Sequence, residues 1–136
     1  MTEQYSYVLD ASALLAHLND EAGADEVEGA LIRGAAISAV NLAEVLSKLA
    51  HVDEDLANTF ATLRRQGLFG NRVAVHPFTE EDAVTIARLY PKTRSHGLSL
   101  GDRACLALAL RLGVPAMTAD RAWTRLRASV TIDTIR

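Results

Sequence analysis

Leu98-Ser-Leu-Gly-Asp102-Arg-Ala-Cys-Leu-Ala-Leu-Ala-Leu-Arg-Leu112 decides the fold. Every side chain from Ala104 to Leu110 is apolar, with no Gly or Pro, and Ala and Leu are strong helix formers. A helix apolar on all sides belongs inside a protein. At its start stands an ionisable group, Asp102, where the helix dipole is positive. Beyond it, Val114-Pro-Ala-Met-Thr118 reads as a short strand, followed by a second acid, Asp120. A buried central helix opened by one acid thus feeds a strand closed by another.

Working outward, short strands alternate with helices. Strands are predicted over 5–9, 35–38, 72–76, 114–118 and 130–135. Helices are predicted after Asp10, over 23–33 with Gly34 closing, and through Leu42, Val45, Leu46 and Leu49 at helical spacing. Further helices are predicted over 54–66, from the capping pattern Thr79-Glu-Glu-Asp82 to about residue 89, and from Asp120. Residues 90–97, with Pro91, Lys92, Arg94 and His96, read as a polar loop. The alternation implies an α/β fold with a short, mostly parallel central sheet flanked by helices, one domain over 1–136.

Right-handed crossovers place all strand C-termini of such a sheet at one edge, where ligands bind. Asp10 ends the first strand and Asp120 follows the fourth. Glu44 lies in the helix after the second strand, and Asp102 opens the central helix. Four carboxylates gathered at one edge repel one another without a cation, and their hard oxygens suit Mg²⁺ or Mn²⁺ rather than zinc. Ser12 and Thr118 are placed to hydrogen-bond a ligating carboxylate or to cap local backbone. Each acid also has a structural role open to it. Asp10 and Asp120 suit helix caps, Asp102 a capping box with Ser99, and Glu44 a capping box with Asn41 or an ion pair with Lys48. The helical wheel favours the structural role for Glu44, which points away from the apolar stripe.

Other chemistries are excluded by motif. The chain has no Gly-rich phosphate loop and no GxSxG elbow, and His17, His51, His76 and His96 have no metal-ligand spacing. The single cysteine, Cys105, lies in the apolar run and reads as a core residue, consistent with a reducing, cytoplasmic setting. No run approaches a membrane span, and the first residues carry no signal-peptide pattern. Net charge is −3; without the four clustered acids, 17 − 4 = 13 acidic groups face 14 basic ones. A surface so balanced is compatible with binding phosphates.

Four stretches, taken together, resemble the successive signatures of PIN domains, most closely the VapC-type toxins of bacterial toxin–antitoxin pairs. They are Val8-Leu-Asp10-Ala-Ser12-Ala-Leu, Ser38-Ala-Val-Asn-Leu-Ala-Glu44-Val, Leu98-Ser-Leu-Gly-Asp102-Arg-Ala-Cys and Met117-Thr-Ala-Asp120-Arg-Ala-Trp123. The resemblance covers essentially the whole chain and fills all four acidic positions. It implies a Mg²⁺- or Mn²⁺-dependent endoribonuclease leaving 5′-phosphate and 3′-hydroxyl ends. Asp10 and Asp102 would be the most direct ligands, and Glu44 and Asp120 would ligate a second ion or orient water. It further implies a cognate antitoxin and a homodimer. Lys92, Arg94, Arg103 and Arg121 are candidates for RNA phosphates, against ordinary solvated charge. The rival class is a non-catalytic RNA- or protein-binding module on the same fold, which would not need four intact acids.

Overall fold

The computed structural model describes residues 4–126 and 129–136; residues 1–3, read above as preceding the first strand without a signal pattern, lie outside them. Its elements run β1 (Val8–Leu9), α1 (Ala11–Leu18), α2 (Ala24–Arg33), β2 (Ala35–Ser38), α3 (Ala39–Ala50), α4 (Leu56–Arg65) and β3 (Val73–His76). They continue with α5 (Glu80–Thr93), α6 (Leu100–Leu112), β4 (Ala116–Thr118) and β5 (Ile132–Thr134). Two 3-10 turns, Arg94–His96 and Arg121–Arg125, complete the regular structure of the described residues.

All five strands are parallel, in the order β3-β2-β1-β4-β5. The chain builds outward from β1 in one direction to β3, then returns to the other side for β4 and β5. The reversal falls between β1 and β4, which pair through Val8 with Ala116 and Leu9 with Met117. A crevice opens at such a switch point beyond the strand C-termini.

Strand alternation assigns each residue to one of two cores. Val8, Ala36 and Ala116 face the cluster holding Cys105, Leu106, Leu108, Ala109 and Trp123. Leu9, Ile37 and Met117 face the opposite cluster with Leu14, Val27, Ala30, Leu31 and Val45. Helix α6 lies between the sheet and α5. Cys105, Leu106, Leu108 and Ala109 pack on the sheet side, while Ala104 and Ala107 meet Ile86 of α5. That double burial is why its sequence carries no polar face from Ala104 to Ala109.

The region expected to loop over 90–97 is instead helical to Thr93 and continues as a 3-10 turn to Gly97, whose φ of +70° ends it. Pro91 would normally stop α5. Two anchors hold the last turn in place. The buried Thr93 donates its hydroxyl to the Leu89 carbonyl at 2.9 Å, and the Arg103 guanidinium from α6 stacks 5.3 Å over the Tyr90 ring.

Candidate carboxylate site

Asp10, the residue after β1, caps α1. Its Oδ1 accepts the Ala13 N–H at 2.8 Å. The Ser12 hydroxyl reaches Oδ1 and Oδ2 at 2.7 and 2.9 Å, and the Thr118 hydroxyl donates to Oδ2 at 2.5 Å. Those two hydroxyl oxygens in turn accept from backbone. Ser12 Oγ takes the Ala119 N–H at 2.9 Å, and Thr118 Oγ1 takes the Asp120 N–H at 3.1 Å. One network therefore ties the end of β1 to the end of β4, across the switch point.

Asp10 is only 4% exposed and has no ion-pair partner among the described residues. Burial pushes its carboxyl up to about 6. The hydrogen bonds from Thr118, Ala13 and Ser12 act against that rise, and the charge of Asp102 adds to it.

Asp102 occupies the third position of α6. It closes a capping box in which its Oδ2 accepts the Ser99 N–H at 2.9 Å and its own N–H donates to Ser99 Oγ at 3.1 Å. Asp120 uses Oδ1 to accept the Ala122 N–H at 2.9 Å, opening the 3-10 turn. Glu44 extends from α3 toward α6. Its Oε1 accepts from Asn41 Nδ2 at 2.8 Å, and its carboxylate rests on Gly101, where a Cβ would come within 2.6 Å of both oxygens. No ion pair joins Glu44 to Lys48 among the described residues. Glu44 itself is half-buried, turned toward the first turn of α6.

Asp10, Glu44, Asp102 and Asp120 together line one cleft of about 230 Å³, with Ser12, Leu15 and Lys48 completing its walls. The structural and the ligating readings of these acids turn out to be compatible. Asp102, Asp120 and Glu44 each bond one carboxylate oxygen to protein and leave the other without a protein partner among the described residues. As the side chains lie, no three acidic, histidine or cysteine groups among the described residues stand close enough to hold one ion. The oxygen donors of this cleft, with the buried Asp10 lacking a cationic partner among the described residues, suit a hard divalent cation.

The four basic candidates do not line this cleft. Lys92 lies on α5, not in a loop, and faces a hollow of about 410 Å³ between α5 and α6, with Glu81, Arg88 and Arg111. Arg94 is exposed in the 3-10 turn. Arg103 is bound to structure, donating to the Ile86 carbonyl at 3.3 Å and stacking on Tyr90. Arg121 donates Nε–H to the Arg136 carbonyl at 2.9 Å. The cation in the cleft is Lys48, which the sequence offers only as a helix partner for Glu44. Asn41, fully buried, pairs with Glu44 side chain to side chain within α3 and not as the N-cap of a capping box, because Ser38 caps that helix. The signal for Asn41 is a polar residue one turn before Glu44 on the same helix edge. Cys105 is fully buried, and burial pushes its thiol well above the usual range, so it is an inert core residue.

The PIN domain family model matches residues 7–128, which include all four acids. The chain belongs to the PIN-domain family. Among solved structures, this PIN domain is similar to a DNA-bound VapBC complex from Salmonella typhimurium, with a TM-score of 0.72 at 15% identity, covering 97% of this chain and 99% of that one. It is also similar to FitAcB from Neisseria gonorrhoeae, with a TM-score of 0.70 at 19% identity and coverage of 95% and 97%. A toxin–antitoxin complex from Klebsiella pneumoniae gives 0.69 at 17% identity, with coverage of 96% and 98%. No curated protein matches the sequence. No helix among the described residues is long and apolar enough to cross a membrane.

Proposed function

We propose that this PIN domain is a Mg²⁺- or Mn²⁺-dependent endoribonuclease, the toxin member of a toxin–antitoxin pair. The observation that carries the reading is the convergence of Asp10, Glu44, Asp102 and Asp120 on one cleft at the sheet's switch point. Four carboxylates turned into one cleft repel one another unless a cation neutralises them, and the charge of Asp102 already acts on Asp10. A bound divalent ion would supply an activated water and stabilise charge developing on the phosphate.

The chain's own residues do the rest. Asp10 and Asp102 would be the main ligands, with Glu44 and Asp120 ligating or orienting water from the flanks. Ser12 and Thr118 fix both oxygens of Asp10, so its orientation is set before anything binds. Lys48 is placed to meet a phosphate of the RNA strand as it enters the cleft. An antitoxin partner is supported by the likeness to toxin–antitoxin complexes, and a homodimer belongs to the same reading.

The test is cleavage of RNA by the purified chain. Cleavage with Mg²⁺ or Mn²⁺ that leaves 5′-phosphate ends and stops with chelator is expected. Cleavage persisting in chelator, with contaminating ribonuclease excluded, would sink the metal mechanism.

A further inference from the structure

Asn41 is a buried polar residue whose hydrogen bonding is incomplete. It is fully buried in the first turn of α3, and its Oδ1 has no hydrogen-bond partner among the described residues. Its Nδ2 donates twice, to Glu44 Oε1 at 2.8 Å and to the Gly101 carbonyl at 2.9 Å. Both partners are acceptors only, so the amide orientation is forced. Turning it over would aim an oxygen at two oxygens. An unpartnered buried carbonyl oxygen is unfavourable, and an apolar residue at 41 would remove it. The fold keeps Asn nonetheless.

What Asn41 secures is the position of Glu44. The Glu44 carboxylate lies against the Cα of Gly101, in space that any Cβ at 101 would occupy. Gly101 is helical and buried, a place where Ala would favour the helix. The small residue and the buried amide serve the same end. They hold Glu44 against the first turn of α6, one residue from Asp102.

Resting on the metal-dependent reading above, we propose that Asn41 is a positioning residue for the carboxylate cleft. Its amide, with Gly101 as the floor, fixes Glu44 beside Asp102 and so sets the spacing available to a divalent ion. Asn41 does not touch the ion or the RNA itself. Its loss would act through Glu44 and through the first turn of α6, which it holds at the Gly101 carbonyl.

Two variants test this, Asn41→Ala and Gly101→Ala. The first removes the amide, and the second displaces the Glu44 carboxylate by contact while leaving Asn41 in place. Mn²⁺ affinity is measured by titration calorimetry on the full chain, with thermal melts in chelator as the control for folding. RNA cleavage gives kcat and KM. Loss of such a supporting hydrogen bond is expected to weaken Mn²⁺ binding about 10–100-fold. kcat should fall with little change in KM, while melts in chelator show a folded protein. If Asn41→Ala does not fold, Gly101→Ala carries the same expectation. Wild-type Mn²⁺ affinity and kcat in a folded variant would overturn the positioning role and leave the nuclease reading standing. A wild-type protein that neither binds Mn²⁺ nor cleaves RNA would overturn both.

Discussion

Replacing Asp10 with Asn should stabilise the metal-free protein at neutral pH, despite removing three charge-assisted hydrogen bonds. The wild-type carboxyl is pushed from its ordinary 3.8 up to about 6 in the fold, chiefly by burial. A raised carboxyl pKa means that the folded state holds the proton more tightly than the unfolded chain. No stability is lost to this group below about pH 3.8. Stability then falls as pH rises, and the loss is complete above about 6. Roughly two units correspond to about 3 kcal/mol.

Asn has nothing to ionise. Its carbonyl oxygen can still accept the Ala13 N–H, but its amide must face the Ser12 and Thr118 hydroxyls, whose protons then turn away. That rewiring costs about 1 kcal/mol. At pH 7 the Asp10→Asn protein should therefore be about 2 kcal/mol more stable than wild type, and near pH 3.8 about 1 kcal/mol less stable. Urea unfolding in chelator between pH 4 and 7 measures the gap. A gap that stays constant across this range, or a variant weaker than wild type at pH 7, would refute the burial argument. Excess Mn²⁺ should reverse the order, because only the wild type gains stability from the ion.

Asp102→Ala should have the opposite sign in chelator. It breaks the capping box with Ser99 and removes a charge from the N-terminal turn of α6, costing ~0.5–2 kcal/mol. Cleavage should nonetheless be lost; a variant that still cleaves RNA would confine Asp102 to capping. Lys48→Glu should weaken RNA binding and flatten its dependence on salt, whereas Lys92→Glu with Arg94→Glu should change it less. Filter binding across a salt series compares them, and a larger effect of the double variant would move the RNA track to α5. Arg103→Ala should destabilise by about 1 kcal/mol through its lost contacts to Ile86 and Tyr90, read by urea unfolding. Loss of RNA affinity without loss of stability would make Arg103 a nucleic-acid contact.

The parallel sheet was legible because its signals are local. Val8, Ala36 and Ala116 sit in runs too short for helices, each bounded by an acid, a glycine or a proline. The all-apolar stretch from Ala104 to Ala109 could only be buried, and α5 on one side and the sheet on the other bury it. The acids at Asp10 and Asp120 followed from the direction of the strands.

Glu44 was placed with them by its position after the second strand and by the resemblance, against the helical wheel, which assumes one core face. Helix α3 has two: Val45 packs in the α1 and α2 core, and Asn41 reaches across to Gly101. The end of α5 was misread since Pro91 marks a stop in isolation. The anchor that overrides it from tertiary packing is Arg103 of α6 on the Tyr90 ring, helped by the local bond of buried Thr93 to the Leu89 carbonyl. Basic residues were the least legible. A charge in sequence carries no direction, and Arg103 and Arg121 spend theirs on backbone carbonyls.

The most direct measurement is a crystal of the wild-type protein soaked in Mn²⁺ and recorded with anomalous scattering. The account predicts a peak inside the cleft, within coordination distance of Asp10 and Asp102 oxygens, with Glu44 and Asp120 at its flanks. A fully loaded crystal with no peak among these four carboxylates would contradict it.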